Sequence, residues 1–333
     1  MPCGLRRKLL SFVLAVLVAL ATAGVAAAGN GGFAPVEPDS PNAQHIRHAY
    51  YLIFGFTAAI FILVETLLVV FVVKYRSRGR ARAVEGAQVH GHTRLELIWT
   101  AFPVVILAII AGFVFYELPN ISSAPAAATP IHITAEGHQY YWQFDYTDSP
   151  DRARSIGTLH VPAGAVVDLK VVSPDVIHSW WIPALGGKIQ AIPGRDNHTW
   201  FRAQPGTYGG QCAELCGTFH ASMLATVQAG SPRQYRHYLA TWQDTIGKQI
   251  WHGVCATCHG NLGQGGYGPA IATNSLLSQS KSLTGIVRNG FNGSQGAMPP
   301  VGDTWTKQEM DALAAYVKKH IYNPQAQGKT SGG

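Results

Sequence analysis

The chain has 333 residues, 47% hydrophobic and 13% charged, with 36 Gly, 19 Pro and 5 Cys. A charged fraction near half the soluble norm of about 25% excludes disorder and an ordinary cytosolic enzyme. The formal charge of +7 is concentrated: three basic residues fall in 1–28 and six in 74–94, and the other 16 basic residues are balanced by 17 acidic ones. The excess therefore marks membrane topology and does not make a nucleic-acid surface.

Residues 1–28 read as a signal peptide, with Arg6, Arg7 and Lys8 before the apolar run Leu9 to Leu20 and small residues up to Ala28. A third membrane anchor is the competing reading. Cys3 lies ahead of the apolar run and would leave with the signal. An exported segment is expected over 29–47, then a first membrane helix over 48–75, a cytoplasmic loop over 76–94 and a second membrane helix over 95–117. Lys74, Arg76, Arg78, Arg80, Arg82 and Arg94 lie in or beside that loop. By the positive-inside rule both flanks then lie outside the cytoplasm. Glu65 sits deep in the first span, where a charge is expensive. Glu96 opens the second at its cytoplasmic end.

The exported part divides in two. Short β-type runs separated by Gly and Pro fill 121–232: Ile131–Ala135, Tyr140–Tyr146, Ala165–Val172, Val176–Ile182, His198–Arg202 and Met223–Val227. Many short strands over about 100 residues predict a sandwich or barrel. From 233 to 324 the pattern turns helical, with helices expected at Gln234–Ile250 and Asp311–Ile321 around a Gly-rich stretch. So few large aliphatics make a thin core that needs a metal or cofactor. Residues 325–333 read as a tail.

Cys212, Cys216, His220 and Met223 fall within one short segment, and His178 ends an upstream strand beside Trp180 and Trp181. Thiolate, imidazole and thioether together favour copper. A Cys212–Cys216 disulfide and a zinc site are the alternatives. Further on, Cys255-Ala-Thr-Cys258-His259 is the attachment pattern for c-type heme, with Met298 suited to the second axial position. A thioredoxin-like dithiol would need a βαβ context, which is missing. Met310, in the terminal helix, reads as core.

Residues 45–230 resemble subunit II of cytochrome c oxidases. The likeness is carried by the two spans, Glu-Leu-Ile-Trp-Thr at 96–100, Gly-His-Gln-Tyr-Tyr-Trp at 137–142, Lys188-Ile-Gln-Ala-Ile-Pro-Gly-Arg195 and the copper-type segment. Residues 240–323 resemble a small bacterial cytochrome c. Together they look like the subunit II of a caa3-type terminal oxidase. The resemblance implies a two-helix membrane hairpin, an all-β cupredoxin-like sandwich and an all-α cytochrome c domain, in a bacterial plasma membrane with both domains outside the cytoplasm.

It further implies a dinuclear copper centre, CuA, bridged by Cys212 and Cys216, with His178, His220, Met223 and the carbonyl of Glu214 completing it. A heme c would be held by Cys255, Cys258, His259 and Met298, with the Gly268–Pro269 carbonyl orienting His259 and the terminal helix packed on the domain's first helix. The Glu214 side chain matches a ligand to magnesium shared with subunit I. Lys188 and Arg195 lie near that boundary, and Glu96 matches the mouth of a proton pathway.

Tyr140 and Trp142 are the candidate electron-transfer side chains, although the family usually has Trp where Tyr140 stands. Gln190 replaces an Asp common in the family. Asp145, Asp148 and Asp151 form either a solvated loop or a docking cluster. The partners implied are subunit I with heme a, heme a3 and CuB, subunit III, and as donor a soluble cytochrome c or a bc-type complex. Electrons would pass from heme c through CuA to heme a, and oxygen would be reduced in subunit I of a proton-pumping oxidase. The rival reading is a membrane-anchored heme c and copper carrier outside any oxidase.

Overall fold

The structure, a computed structural model, describes residues 35–75, 88, 90–125, 129–293 and 296–325. The expected signal peptide, most of the cytoplasmic loop and nearly all of the tail lie outside these residues. Two helices, α1 (Pro41–Tyr75) and α2 (Thr93–Ser122), are long and apolar enough to cross a membrane. At 1.5 Å per residue each exceeds a hydrocarbon core of about 30 Å.

Both helices overrun the expected spans, α1 beginning at Pro41 instead of 48 and α2 ending at Ser122 instead of 117. The physical reason is that an apolar run marks where a helix meets hydrocarbon and not where its backbone stops. The polar overhang docks on the next domain. Asn42 Nδ2 donates to Trp200 O at 2.6 Å, Arg202 N donates to Ser40 Oγ at 3.0 Å, and Trp200 Nε1 donates to Ile121 O at 3.1 Å.

A five-stranded sheet follows, ordered β3 (Arg154–Ile156), β2 (Tyr141–Tyr146), β1 (Ile131–His138), β5 (Val167–Val172) and β8 (Asn197–Phe201). Within this sheet β1 and β5 pair in parallel, Ile133 lying opposite Leu169, and the other neighbours pair antiparallel. The facing sheet orders β4 (Thr158–Pro162), β10 (Leu224–Gly230) and β9 (Gly206–Gln211), and a two-stranded ribbon joins β6 (His178–Trp180) to β7 (Ile189–Ala191). Alternate residues of β5 are buried, Val167, Leu169 and Val171. This period-2 pattern packs the two sheets face to face.

The last region runs through α3 (Pro232–Ile250), a π turn (Trp251–Cys255), α4 (Ala256–His259), α5 (Ser280–Asn289), a hairpin of β11 (Phe291–Gly293) and β12 (Gly296–Met298), and α6 (Lys307–His320). The Ser231 side chain caps α3 in a capping box with Gln234, with Pro at its start. The expected crossing of the first and terminal helices is present. A Cβ on Gly247 would stand 2.2 Å from Ala312 O, so only glycine allows so close an approach of the two backbones. Neither α5 nor the small hairpin was expected from the sequence.

The helical region leans on the sandwich. Buried apolar side chains form one continuous cluster from Ile133 and Leu169 through Trp242 and Ile250 to Leu313. The edge strand β3 is covered, and its Ile156 N–H donates to Gln249 Oε1 at 2.9 Å. Tyr238 OH donates to Arg154 O at 2.7 Å and Tyr141 OH to Val301 O at 3.2 Å. Arg154 pairs with Asp145 at 2.7 Å and with Glu309 at 3.1 Å, the Glu309 side chain being 0% exposed. Glu309 also accepts from Thr306 N and Oγ1, which closes the capping box of α6.

Candidate copper and heme sites

The soft donors expected from the sequence come together at one end of the sandwich. His178 arrives on β6, and the other donors arrive from the loop between β9 and β10. Cys212 Sγ lies 4.0 Å from Cys216 Sγ and 3.9 Å from His178 Nδ1. Cys216 Sγ lies 3.5 Å from His220 Nδ1 and 3.9 Å from Met223 Sδ, and Cys212 Sγ lies 3.2 Å from Glu214 O. Both thiols are free, so the disulfide alternative is not what the structure shows. Two thiolates flanked by two imidazoles, a thioether and a carbonyl form a donor set that fits a pair of soft copper ions, and Met223, fully buried, faces this set.

Asp175, not anticipated from the sequence, orients His178, whose Nε2 donates to Asp175 Oδ1 at 2.8 Å and leaves Nδ1 for metal. Burial acts to raise the Asp175 carboxyl. Hydrogen bonds from His178 and from the Val176 and Gln139 N–H groups outweigh it and bring the pKa down to about 2. Burial also acts to raise the Cys212 thiol, but its hydrogen bond with His178 turns the net direction downward, while burial and the neighbouring thiol push Cys216 up. The signal for Asp175 in the sequence is an acid three residues before a ligand-type His.

Trp142 is wholly buried, its ring 6.1 Å from that of His178 and 5.3 Å from that of Trp180. It is part of the core beneath the site. Tyr140 lies nearer the surface. Its hydroxyl accepts from Thr218 N at 3.1 Å, and its ring meets Phe219 edge-on. Gln190 Nε2 donates to Glu214 Oε2 at 3.3 Å, and Lys188 Nζ stands 4.8 Å from the Trp181 ring centre. Of the acidic cluster, Asp145 binds Arg154 and Asp148 accepts from His132 N, so two of its three members serve the fold.

In the helical domain Cys255 ends the π turn and Cys258 and His259 lie on α4, one continuous helical run that puts both thiols on one face. His259 Nδ1 donates to Pro269 O at 2.9 Å, the partner expected, which leaves Nε2 for iron. A Cβ on Gly268 would come within 3.1 Å of His259 Cε1 and 3.4 Å of Cys258 Cβ, so the bare backbone there makes a cradle beside the motif. Two thiols, an imidazole held by its far nitrogen and this cradle fit a covalently attached heme. Met298 stands half-buried on β12, away from the motif in sequence, and Met310 is core at 3% exposure.

Glu96 is exposed at the start of α2, where its Oε1 accepts from His92 N at 3.0 Å. Glu65 lies on an exposed face of α1. At the other end of the hairpin, Glu117, which no sequence motif marks, is buried and pairs with His45 at 2.5 Å.

A membrane hairpin bearing a cupredoxin-like sandwich with a thiolate metal site, followed by a helical domain with a heme-attachment motif, defines a membrane-anchored electron-transfer protein. Comparisons with known proteins narrow this. The family description "Cytochrome C oxidase subunit II, transmembrane domain" matches residues 32–116, its "periplasmic domain" counterpart matches 155–230, and "Cytochrome C oxidase, cbb3-type, subunit III" matches 243–317. Cytochrome c oxidase subunit 2 of Alkalihalophilus pseudofirmus is 30% identical over 87% of this chain and 91% of that one, an extent that must reach into the helical domain. The Cereibacter sphaeroides subunit 2 is 33% identical over 63% of this chain and 80% of that one. Among solved structures, the periplasmic domain of subunit II of cytochrome oxidase of Bradyrhizobium japonicum is 34% identical, covering 33% of this chain and 91% of that one, with a TM-score of 0.32.

The chain belongs to the cytochrome c oxidase subunit II family, in the form that carries a fused C-terminal cytochrome c domain. Its two domains accordingly imply CuA copper and heme c, and its family implies a place beside subunit I in a membrane complex.

Proposed function

We propose that this chain is the electron-input subunit of a caa3-type oxidase, taking electrons at the cytochrome domain and handing them through the copper domain to heme a of subunit I. The observation that carries the reading is the convergence of His178, Cys212, Glu214 O, Cys216, His220 and Met223 at one sandwich end, in a chain whose heme motif is packed onto that same sandwich. When bound, the copper pair and the heme supply one-electron chemistry. The protein's own work is to hold their ligands still. Asp175 fixes the His178 ring and the Pro269 carbonyl fixes the His259 ring, so neither imidazole needs to turn between oxidation states. Fusion makes the step between domains intramolecular, with an effective concentration on the order of millimolar.

Several finer assignments belong to this proposal. The hairpin is oriented with the loop after α1 in the cytoplasm and both domains outside, after removal of the signal over residues 1–28. The domain boundaries at 121–232 and 233–324 are part of it, as are oxygen reduction to water and proton pumping in the assembled oxidase, the presence of subunit III, and a cytochrome c or bc-type complex as donor. Met298 would supply the second protein donor to the heme iron, and Glu96 would stand at the mouth of a proton pathway. Glu214 offers one carboxylate to a magnesium ion shared with subunit I. Gln190, neutral and hydrogen-bonded to Glu214, would give such an ion one negative neighbour fewer than the family pattern.

The test is to purify the full chain from its native membrane in mild detergent. The proposal expects a co-purifying multi-span heme protein, two coppers and one covalent heme per chain, and an EPR signal shared by two copper nuclei. A chain that purifies alone with heme and a single copper or zinc overturns it and leaves a tethered electron carrier.

A further inference from the structure

The copper-ligand loop and the heme-attachment segment touch through aromatic rings. Phe219, the residue before His220, meets Tyr267 edge-on with centroids 4.7 Å apart at 90°, and meets Tyr140 at 5.3 Å and 74°. Tyr267 stands two residues before Pro269, whose carbonyl accepts from His259 Nδ1 at 2.9 Å. The intervening Gly268 donates from its N–H to Cys258 O at 2.8 Å. A single sequence of contacts therefore joins the two imidazoles. It runs from His259 across one hydrogen bond to Pro269, along backbone to Tyr267, across one ring contact to Phe219, and along backbone to His220.

We propose that Tyr267 and Phe219 form the connector along which an electron crosses from the cytochrome domain to the copper domain. The inference rests on the relay proposed above and adds its route. Tunnelling falls off steeply through empty space and gently through bonds. A route with one hydrogen bond and one ring contact therefore couples the two sets of ligand-type side chains with a single through-space step. One electron leaves the iron site held by His259, which is oxidised by one unit, and one arrives at the copper site held by His220, which is reduced by one unit. No bond is made or broken and no proton has to move.

The same geometry accounts for Tyr140. Its hydroxyl is tied to Thr218 N and its ring lies behind Phe219, so the fused domain presents its own tyrosine on that side and Tyr140 need not serve as a landing surface. Tyr267 is 76% exposed and contributes little to packing, which separates its role from folding.

The experiment uses the full chain in its assembled oxidase, loaded with heme and copper. Heme is reduced by a laser-triggered donor and the heme and copper absorbances are followed in wild type, Tyr267→Phe, Tyr267→Ala and Phe219→Leu. Tyr267→Phe should keep the wild-type rate, because the ring is retained. Tyr267→Ala and Phe219→Leu should each slow the transfer severalfold, with both optical spectra and both potentials unchanged. A Tyr267→Ala chain that equilibrates as fast as wild type overturns the connector alone. A wild-type chain in which reduced heme never passes an electron to copper overturns the relay beneath it. An independent readout places a photo-cross-linking phenylalanine at 219 in the copper-free chain. Capture of the peptide holding Tyr267 supports the contact, and capture only elsewhere overturns it.

Discussion

In the sandwich, His178 comes from β6 while Cys212, Cys216, His220 and Met223 come from the loop after β9, so these soft donors meet only where separate strands are brought together. In the helical domain Cys255, Cys258 and His259 share one helical run, and the heme can be captured by a segment that has hardly folded. The sandwich has two facing sheets of its own to stabilise it. The helical domain relies on its neighbour, where Arg154 and Tyr141 of β3 and β2 bind Glu309, Tyr238 and Val301 of the helical domain. One domain builds its cofactor site on a finished core, and the other is completed by its cofactor and its host.

Removing each site in turn should affect the two domains differently. Replacing Cys255 and Cys258 by Ala should abolish covalent heme and leave residues 233–324 open to proteolysis, while the copper spectrum survives. His178→Ala should abolish the shared copper signal while the covalent heme spectrum and the protease-resistant sandwich persist. If heme loss also erased the copper site, the asymmetry would be wrong.

Next in size is the buried ion pair. Arg154→Ala leaves the Glu309 carboxylate buried without its cation and should destabilise the cytochrome domain by about 3–5 kcal/mol, read as the urea midpoint of the heme circular dichroism. The double variant Arg154→Met with Glu309→Gln should recover part of that loss, since the amide oxygen still accepts from Thr306.

A smaller effect is expected at the helix crossing. Gly247→Ala would press a methyl against the Ala312 carbonyl. It should lower stability by about 2–3 kcal/mol in thermal melts of the heme band, with the copper domain's own melt unchanged.

The smallest effect is a pH dependence at the same border. His160 stacks on Tyr238 with ring centres 3.9 Å apart, and burial lowers its pKa from 6.5 to about 4. Above 6.5 the ring is neutral in folded and unfolded chains alike. Between 6.5 and about 4 the unfolded chain binds the proton and the folded one does not, so stability falls as pH falls, and below about 4 the dependence ends. Discounted for the ring's partial exposure, the loss is about 1–2 kcal/mol, and His160→Gln should flatten the wild-type slope of urea midpoint against pH between 6.5 and 4.

Much of this architecture is legible in the sequence because the informative patterns are local. Two apolar runs read as spans, and Cys-x-x-Cys-His reads as heme attachment whatever surrounds it. The loop from Cys212 to Met223 carries four soft donors in one short segment. Strands β3 and β7 are not legible, because three residues hold too little alternation to stand out. Helix α5 is hidden because Ser280–Asn289 holds few apolar residues and ends against Gly290.

The sequence by itself determined the membrane hairpin, the order of the two redox domains and the donors each would offer, since hydropathy and motif spacing act over a few residues. It took tertiary packing to close Glu309 on Arg154 across the domain border and to bring Phe219 onto Tyr267. These pairs are far apart along the chain or on separate elements, and no local propensity acts across such distances. They form only where packing of the α3–α6 bundle against β2 and β3 brings the two domains together.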